Sequence, residues 1–283
     1  TSDHLHWASG TWNKAGRMAS GNQNHGGGHS HCDAMIYLGD RWPAEYRGTL
    51  LTSNIHGRRV NRDRLVRRNG IYRGEHADDF LVVDDPWFRA VSMEYGPDGD
   101  VYLTDWSDNG ECHDRDGVHR TSGRIYKVTW GDPRLVKVDL RTASNEQLVK
   151  YQLHANDWYV RHARRILQER SLAGQSLAKT HAELRRLFDR SPDVTRKLRC
   201  LWTLYVCGGT DEAWLLGLMG DHDEHVRSWA VRLLVDGQTS SEGVLEQLAG
   251  MTESEDSWLV QVTLASAIQR VSDEQRWQLA SAL

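Results

Sequence analysis

Residues Ala90–Trp130, AVSMEYGPDGDVYLTDWSDNGECHDRDGVHRTSGRIYKVTW, decide how the first half of the chain is read. Three strands are predicted here, over Ala90–Tyr95, Asp100–Trp106 and Gly123–Trp130. Val101, Leu103 and Asp105 alternate with Tyr102, Thr104 and Trp106, and Ile125, Lys127 and Thr129 alternate with Tyr126 and Val128, which is the period of a strand. Gly96-Pro97-Asp98-Gly99 separates the first two strands. Asp-Gly supplies the positive φ of a tight hairpin. A long polar loop separates the second and third.

A similar set of strands precedes it: Ala34–Leu38, Thr49–Asn54, Arg58–Leu65 and Asp79–Val83. Setting TLLTSN on VYLTDW places Thr52 over Thr104 and Ser53 over Asp105, an offset of 52 residues. Repeats of this length point to arrays, because one antiparallel meander cannot bury both its faces alone. The expected fold class is therefore a β-propeller fragment, all-β and comprising the last blades, over 1–135. Closure takes roughly four to eight blades, so further blades are expected upstream of Thr1.

Beyond Gly131-Asp132-Pro133 the period changes from 2 to 3.6. Val160, Val194, Val226 and Val260 follow one another at 34, 32 and 34 residues. Each lies three residues after a capping type, Asp157, Ser191, Asp223 or Ser257, and opens an apolar stripe. With amphipathic partners between them, they predict an all-α, HEAT-like solenoid over 136–283.

Hydrophobic residues make up 39% and charged residues 26% of the chain, which are globular values, and the net charge of −4 argues against nucleic acid as a partner. Four cysteines form neither CxxC nor CxxCH, so this chain is not expected to carry covalent haem.

Two loops concentrate chemistry. Gly21–Cys32 (GNQNHGGGHSHC) holds His25, His29, His31 and Cys32, and Ser107–Arg120 (SDNGECHDRDGVHR) holds Cys112, His113 and His119. Cys112-His113 echoes His31-Cys32. One reading is a shared metal or cofactor site, with His29, His31, Cys32 and His113 as ligands. The other is a Cys32–Cys112 disulfide joining the loops. Asp105 and the acids after it offer oxygens to a hard cation such as calcium.

The segments GGGHSHCDAMIYLGDRWPAEYRGTLLTSNIHGRRVNRDRL and DPWFRAVSMEYGPDGDVYLTDWSDNGECHDRDGVHRTSGRIYKV resemble an exported family of planctomycetes and verrucomicrobia. Its members are called membrane-bound dehydrogenases or haem-binding CxxCH proteins. The resemblance implies a propeller similar to quinoprotein glucose/sorbosone dehydrogenases, then HEAT repeats, then a cytochrome c-like domain that holds the haem. It implies a periplasmic or exported parent, associated with a membrane, that oxidises a sugar or alcohol and passes electrons to that c-type cytochrome domain or another acceptor. The implied cofactors are a PQQ-like quinone and a metal ion such as calcium.

On that reading His31, His113 or His119 serves as general base, and Arg58, Arg124 and Asp105 hold the cofactor. Two alternatives stand beside it. One is a non-catalytic scaffold that binds protein or polysaccharide, with protein partners docking on the helical solenoid. The other is a metal-binding module at the His/Cys loops.

Overall fold

The computed structural model describes residues 31–55, 57–107, 121–237 and 241–282. Two compact units divide the chain. The first comprises Thr1–Arg68, Tyr72–Val138 and Ala155–Trp158, the second Asn69–Ile71, Asp139–His154 and Tyr159–Leu283.

The first unit contains two antiparallel sheets. Strands β1 (His31–Ile36), β2 (Leu50–Asn54), β3 (Arg59–Arg68) and β4 (Ile71–Val82) lie in that order in one sheet. Strands β5 (Ala90–Tyr95), β6 (Val101–Asp105) and β7 (Arg124–Val128) form the other. The register is set by alternation. Met35 pairs with Leu51 across β1 and β2, and Met93 with Leu103 across β5 and β6. Those four side chains point inward, where Tyr37, Val60, Phe88, Ala90, Tyr95 and Val101 complete one apolar core. Shifting either strand by one residue would put this set on the solvent face.

The β5–β6 turn forms as expected. The Gly96 N–H donates to the Asp100 carbonyl at 2.9 Å, and Gly99 takes φ +77°. Tyr37, which is 1% exposed, closes this corner: its hydroxyl donates to the Gly99 carbonyl at 2.6 Å and accepts from the Arg41 and Trp42 N–H groups.

The propeller expectation is overturned. Among the described residues there are two small sheets, of four and three strands, and no closed ring. Both repeated strand texts do become strands, β2 and β6, each paired on both sides. Repeated alternation specifies a strand and its neighbours. It does not specify that the outer edges meet, and closure needs every edge paired. The expected third and fourth strands also differ from those found. β3 and β4 are long, 10 and 12 residues, and form a hairpin across Asn69-Gly70, with Asn69 at φ +55°. Asn-Gly is the signature of a two-residue hairpin turn, and it is what the expectation of short strands overlooked.

The second unit is helical. Its helices are α1 (Asn145–Lys150), α2 (Asp157–Leu172, whose first residues count with the first unit), α3 (Ala178–Arg190), α4 (Val194–Val206) and α5 (Glu212–Leu218). They continue as α6 (Glu224–Leu234), α7 (Glu242–Thr252), α8 (Trp258–Ala267) and α9 (Asp273–Ala282). Val160, Val226 and Val260 are fully buried, as a stripe one turn into a helix should be, with Asp223 and Ser257 capping α6 and α8. At the fourth position Asp193, not Ser191, caps α4, because its carboxylate accepts from the Thr195 and Arg196 N–H groups.

The overall architecture is mixed α and β, two small sheets followed by helices. It is not a propeller followed by a HEAT-like solenoid. The helices run unevenly from 6 residues in α1 to 16 in α2, which a regular repeat does not allow. No helix of the described residues is long and apolar enough to cross a membrane.

Candidate functional site

Two polar clusters in the first unit bear on function. The first collects the residues expected to hold a cofactor. Asp105 ends β6 with its carboxylate inaccessible to solvent. One oxygen accepts from the backbone N–H groups of Arg89 and Ser107, both at 2.8 Å, and the other from Arg124 Nε at 2.7 Å. Arg124, on β7, also reaches Asp85 at 2.6 Å. The Asp85 carboxyl is held below its usual range, first by the Trp87 N–H and then by Arg124, with a smaller push from the charge of Arg58. Arg58 sits between β2 and β3 at φ +51°, and its carbonyl accepts from the Val83 N–H at 3.0 Å. The structure brings Arg124 and Asp105 together beside Asp85, while Arg58 is tied to this group only through the effect of its charge on Asp85. Asp105 and Arg124 spend their hydrogen bonds on each other and on backbone, which is how a corner is pinned.

His31 opens β1 opposite Asn54 and is exposed. Cys32 is a free, half-buried thiol whose Sγ donates to the Ala90 carbonyl at 3.3 Å. Burial, then the neighbouring Asp33 charge, pushes the thiol pKa up. Cys32 is thus a poor thiolate nucleophile. His29, Cys112, His113 and His119 lie outside the described residues. Among the described residues no three His, Cys, Asp or Glu side chains converge as a metal would need.

The second cluster was not anticipated. An open groove of about 840 Å³ runs along the β3–β4 hairpin. Arg59, Arg62 and Arg64 line it from β3, His76, Asp78 and Asp79 from β4, and Glu45 from the 3-10 turn Ala44–Tyr46. Arg59 donates to one Asp79 oxygen at 2.8 Å and Asn61 to the other at 2.7 Å. His76 lies 3.3 Å from Asp63 and 3.8 Å from Asp79. Arg62 donates to the Asp78 and Glu45 carbonyls and stacks over the Tyr46 ring at 4.3 Å.

Tyr46 belongs to an aromatic group with Trp42, Phe80 and the half-exposed Trp130. The signal that could have found the groove was the Asn69-Gly70 turn, which folds the arginines of one strand against the acids of the next.

Residues 4–132 match the model of a family described only as a domain of unknown function, DUF7133. The stretch takes in both sheets. No curated protein matches the chain. The dehydrogenase and haem-binding expectations find no support in the fold or in this match.

Proposed function

We propose that the first unit is a non-catalytic binding module that takes a neutral polysaccharide in the β3–β4 groove. The observation that carries the reading is the balance of the lining. Three arginines face three carboxylates, Glu45, Asp78 and Asp79. A sugar hydroxyl is both a donor and an acceptor, so a lining that mixes fixed donors with fixed acceptors suits a polyhydroxyl chain. A polyanion would meet Asp78 and Glu45 unfavourably. The groove is open to solvent, and the Arg59–Asp79–Asn61 arrangement holds its polar groups in place without ligand. The motifs shared with the planctomycete and verrucomicrobial family support placing this module in an exported parent, where extracellular polysaccharide would be met.

Affinity electrophoresis tests the reading, with the purified chain run through gels containing xylan, galactomannan, dextran or heparin. Retardation is expected in at least one neutral gel, and Arg64→Ala and Asp78→Ala, both at exposed positions, should each reduce it. Retardation in heparin alone would replace the neutral ligand by an anionic one. No retardation in any gel would overturn the proposal.

A further inference from the structure

The second unit carries a groove unlike the first. It holds about 870 Å³ and is lined from α2, α4, α6 and α8, within the range of about 300–1,000 Å³ typical of ligand pockets. Its floor is aromatic. Trp202 of α4 and Trp229 of α6 meet edge to face with ring centroids 4.9 Å apart. Each indole carries an arginine: Arg164 lies 5.1 Å from the Trp202 ring and Arg232 4.6 Å from the Trp229 ring. Arg270 lines the same groove, and Val262 brings an apolar side chain that is 51% exposed.

Three features point to what it would hold. The first is charge. Three arginines line the groove, and Asp236, the acid on its lining, already accepts from the Tyr205 hydroxyl at 2.9 Å. Arg232 and Arg270 have no ion pair among the described residues. This excess of positive charge stands on a chain whose net charge is −4. The second is an orphan donor: the Trp202 indole N–H is shielded from solvent and has no hydrogen-bond partner. A buried donor without an acceptor is unfavourable, and a ligand carbonyl or carboxylate reaching it would supply the acceptor. The third is the exposed apolar side chain of Val262 on the same lining, which a purely polar ligand would leave wet.

We infer that this groove binds an acidic peptide segment of another protein, one that carries a bulky apolar side chain among its carboxylates. The carboxylates pair with Arg232 and Arg270 at the rim, and the apolar side chain covers Trp229 and Val262. Guanidinium groups stacked on indoles are already oriented, so little is lost when they pair with carboxylates. The inference concerns a site separate from the polysaccharide groove, and either can fail without the other.

The test is fluorescence anisotropy of the full chain with a fluorescein-labelled peptide, Glu-Leu-Asp-Glu-Phe-Asp-Glu. Two control peptides replace its acids by lysine, or its Leu and Phe by serine. Binding that weakens with added salt is expected for the first peptide only. Arg232→Glu, at an exposed position whose fold is checked by circular dichroism, should weaken it about tenfold or more. No binding at about 1 mM protein, roughly −4 kcal/mol, would overturn the inference. So would equal binding of the lysine peptide, or an affinity untouched by Arg232→Glu. Equal binding of the serine peptide would remove the apolar anchor and, with it, the class of partner proposed.

Discussion

Asp105 offers the most direct test of how the first unit is held together. Asp105→Ala removes an inaccessible carboxylate that accepts from the Arg89 N–H, the Ser107 N–H and Arg124. Each orphaned buried N–H costs about 1–3 kcal/mol, so the two together cost roughly 2–6 kcal/mol. The lost pair with Arg124 adds little, about 0.5 kcal/mol, because that side chain is a third exposed and keeps Asp85. The total is about 3 kcal/mol or more, with most of it in the backbone. Asp105→Asn keeps an oxygen for both N–H groups but turns an NH2 donor toward Arg124, losing that charge and its hydrogen bond, so about 1 kcal/mol is expected.

Hydrogen exchange read by mass spectrometry on peptides spanning residues 88–107 measures this opening locally, without requiring the two units to unfold as one. Protection should fall about a hundredfold in Asp105→Ala and roughly fivefold in Asp105→Asn, since 1.4 kcal/mol is a factor of ten. Unchanged protection in Asp105→Ala would refute the structural role and return Asp105 to the candidates for ligand binding. Equal losses in the two variants would place the energy in the charge pair instead of the backbone bonds.

Glycine substitutions separate backbone strain from collision. Gly48 and Gly99 both have positive φ, but a Cβ on Gly48 meets nothing within 4 Å, whereas on Gly99 it falls 2.6 Å from Asp40 Oδ1 and 2.8 Å from the Arg41 backbone N. Gly48→Ala should cost about 1 kcal/mol and Gly99→Ala about 3 kcal/mol or more, read as urea midpoints. Comparable midpoints would show that the Arg41 backbone yields. In the second unit, Glu255 accepts two hydrogen bonds from Arg227, at 2.7 and 2.8 Å, and this partner holds its pKa below the usual value despite the opposing effect of burial. A depressed folded pKa stabilises above the unfolded value, about 4.3, and that stability is lost as pH falls through the folded pKa. The stability difference between the wild type and Glu255→Gln should hold steady from about pH 6 to pH 5 and shrink below about pH 4.3. A difference that stays constant down to about pH 3 would remove Glu255 from the acid sensitivity of the helical unit.

Parts of this molecule could be read directly. The alternation around Met93 and Leu103 places β5 and β6 and says which side chains enter the core. Asp98-Gly99 locates the turn between them. The spacing of Val160, Val226 and Val260 marks three buried helix faces. Of the candidate sites, the union of Asp105 and Arg124 was legible only as two polar residues near strand ends. That they bind each other directly, with Asp85 as a second partner of Arg124, was not, because Asp85 had no pattern of its own. The β3–β4 groove was missed altogether: Arg62, His76 and Asp79 are far apart until Asn69-Gly70 folds one strand on the other.

What the chain determined by itself is therefore local: where strands and helices lie, which face of each is apolar, and where backbone must turn. Among the described residues, two sheets in place of a closed ring, and the arginine-lined groove of each unit, were decided only by tertiary structure. Alternation and helical period record the burial of a residue within its own element. Which edges pair, and which charges from distant elements meet, depends on a balance of packing among all elements at once, and no short window of sequence carries it.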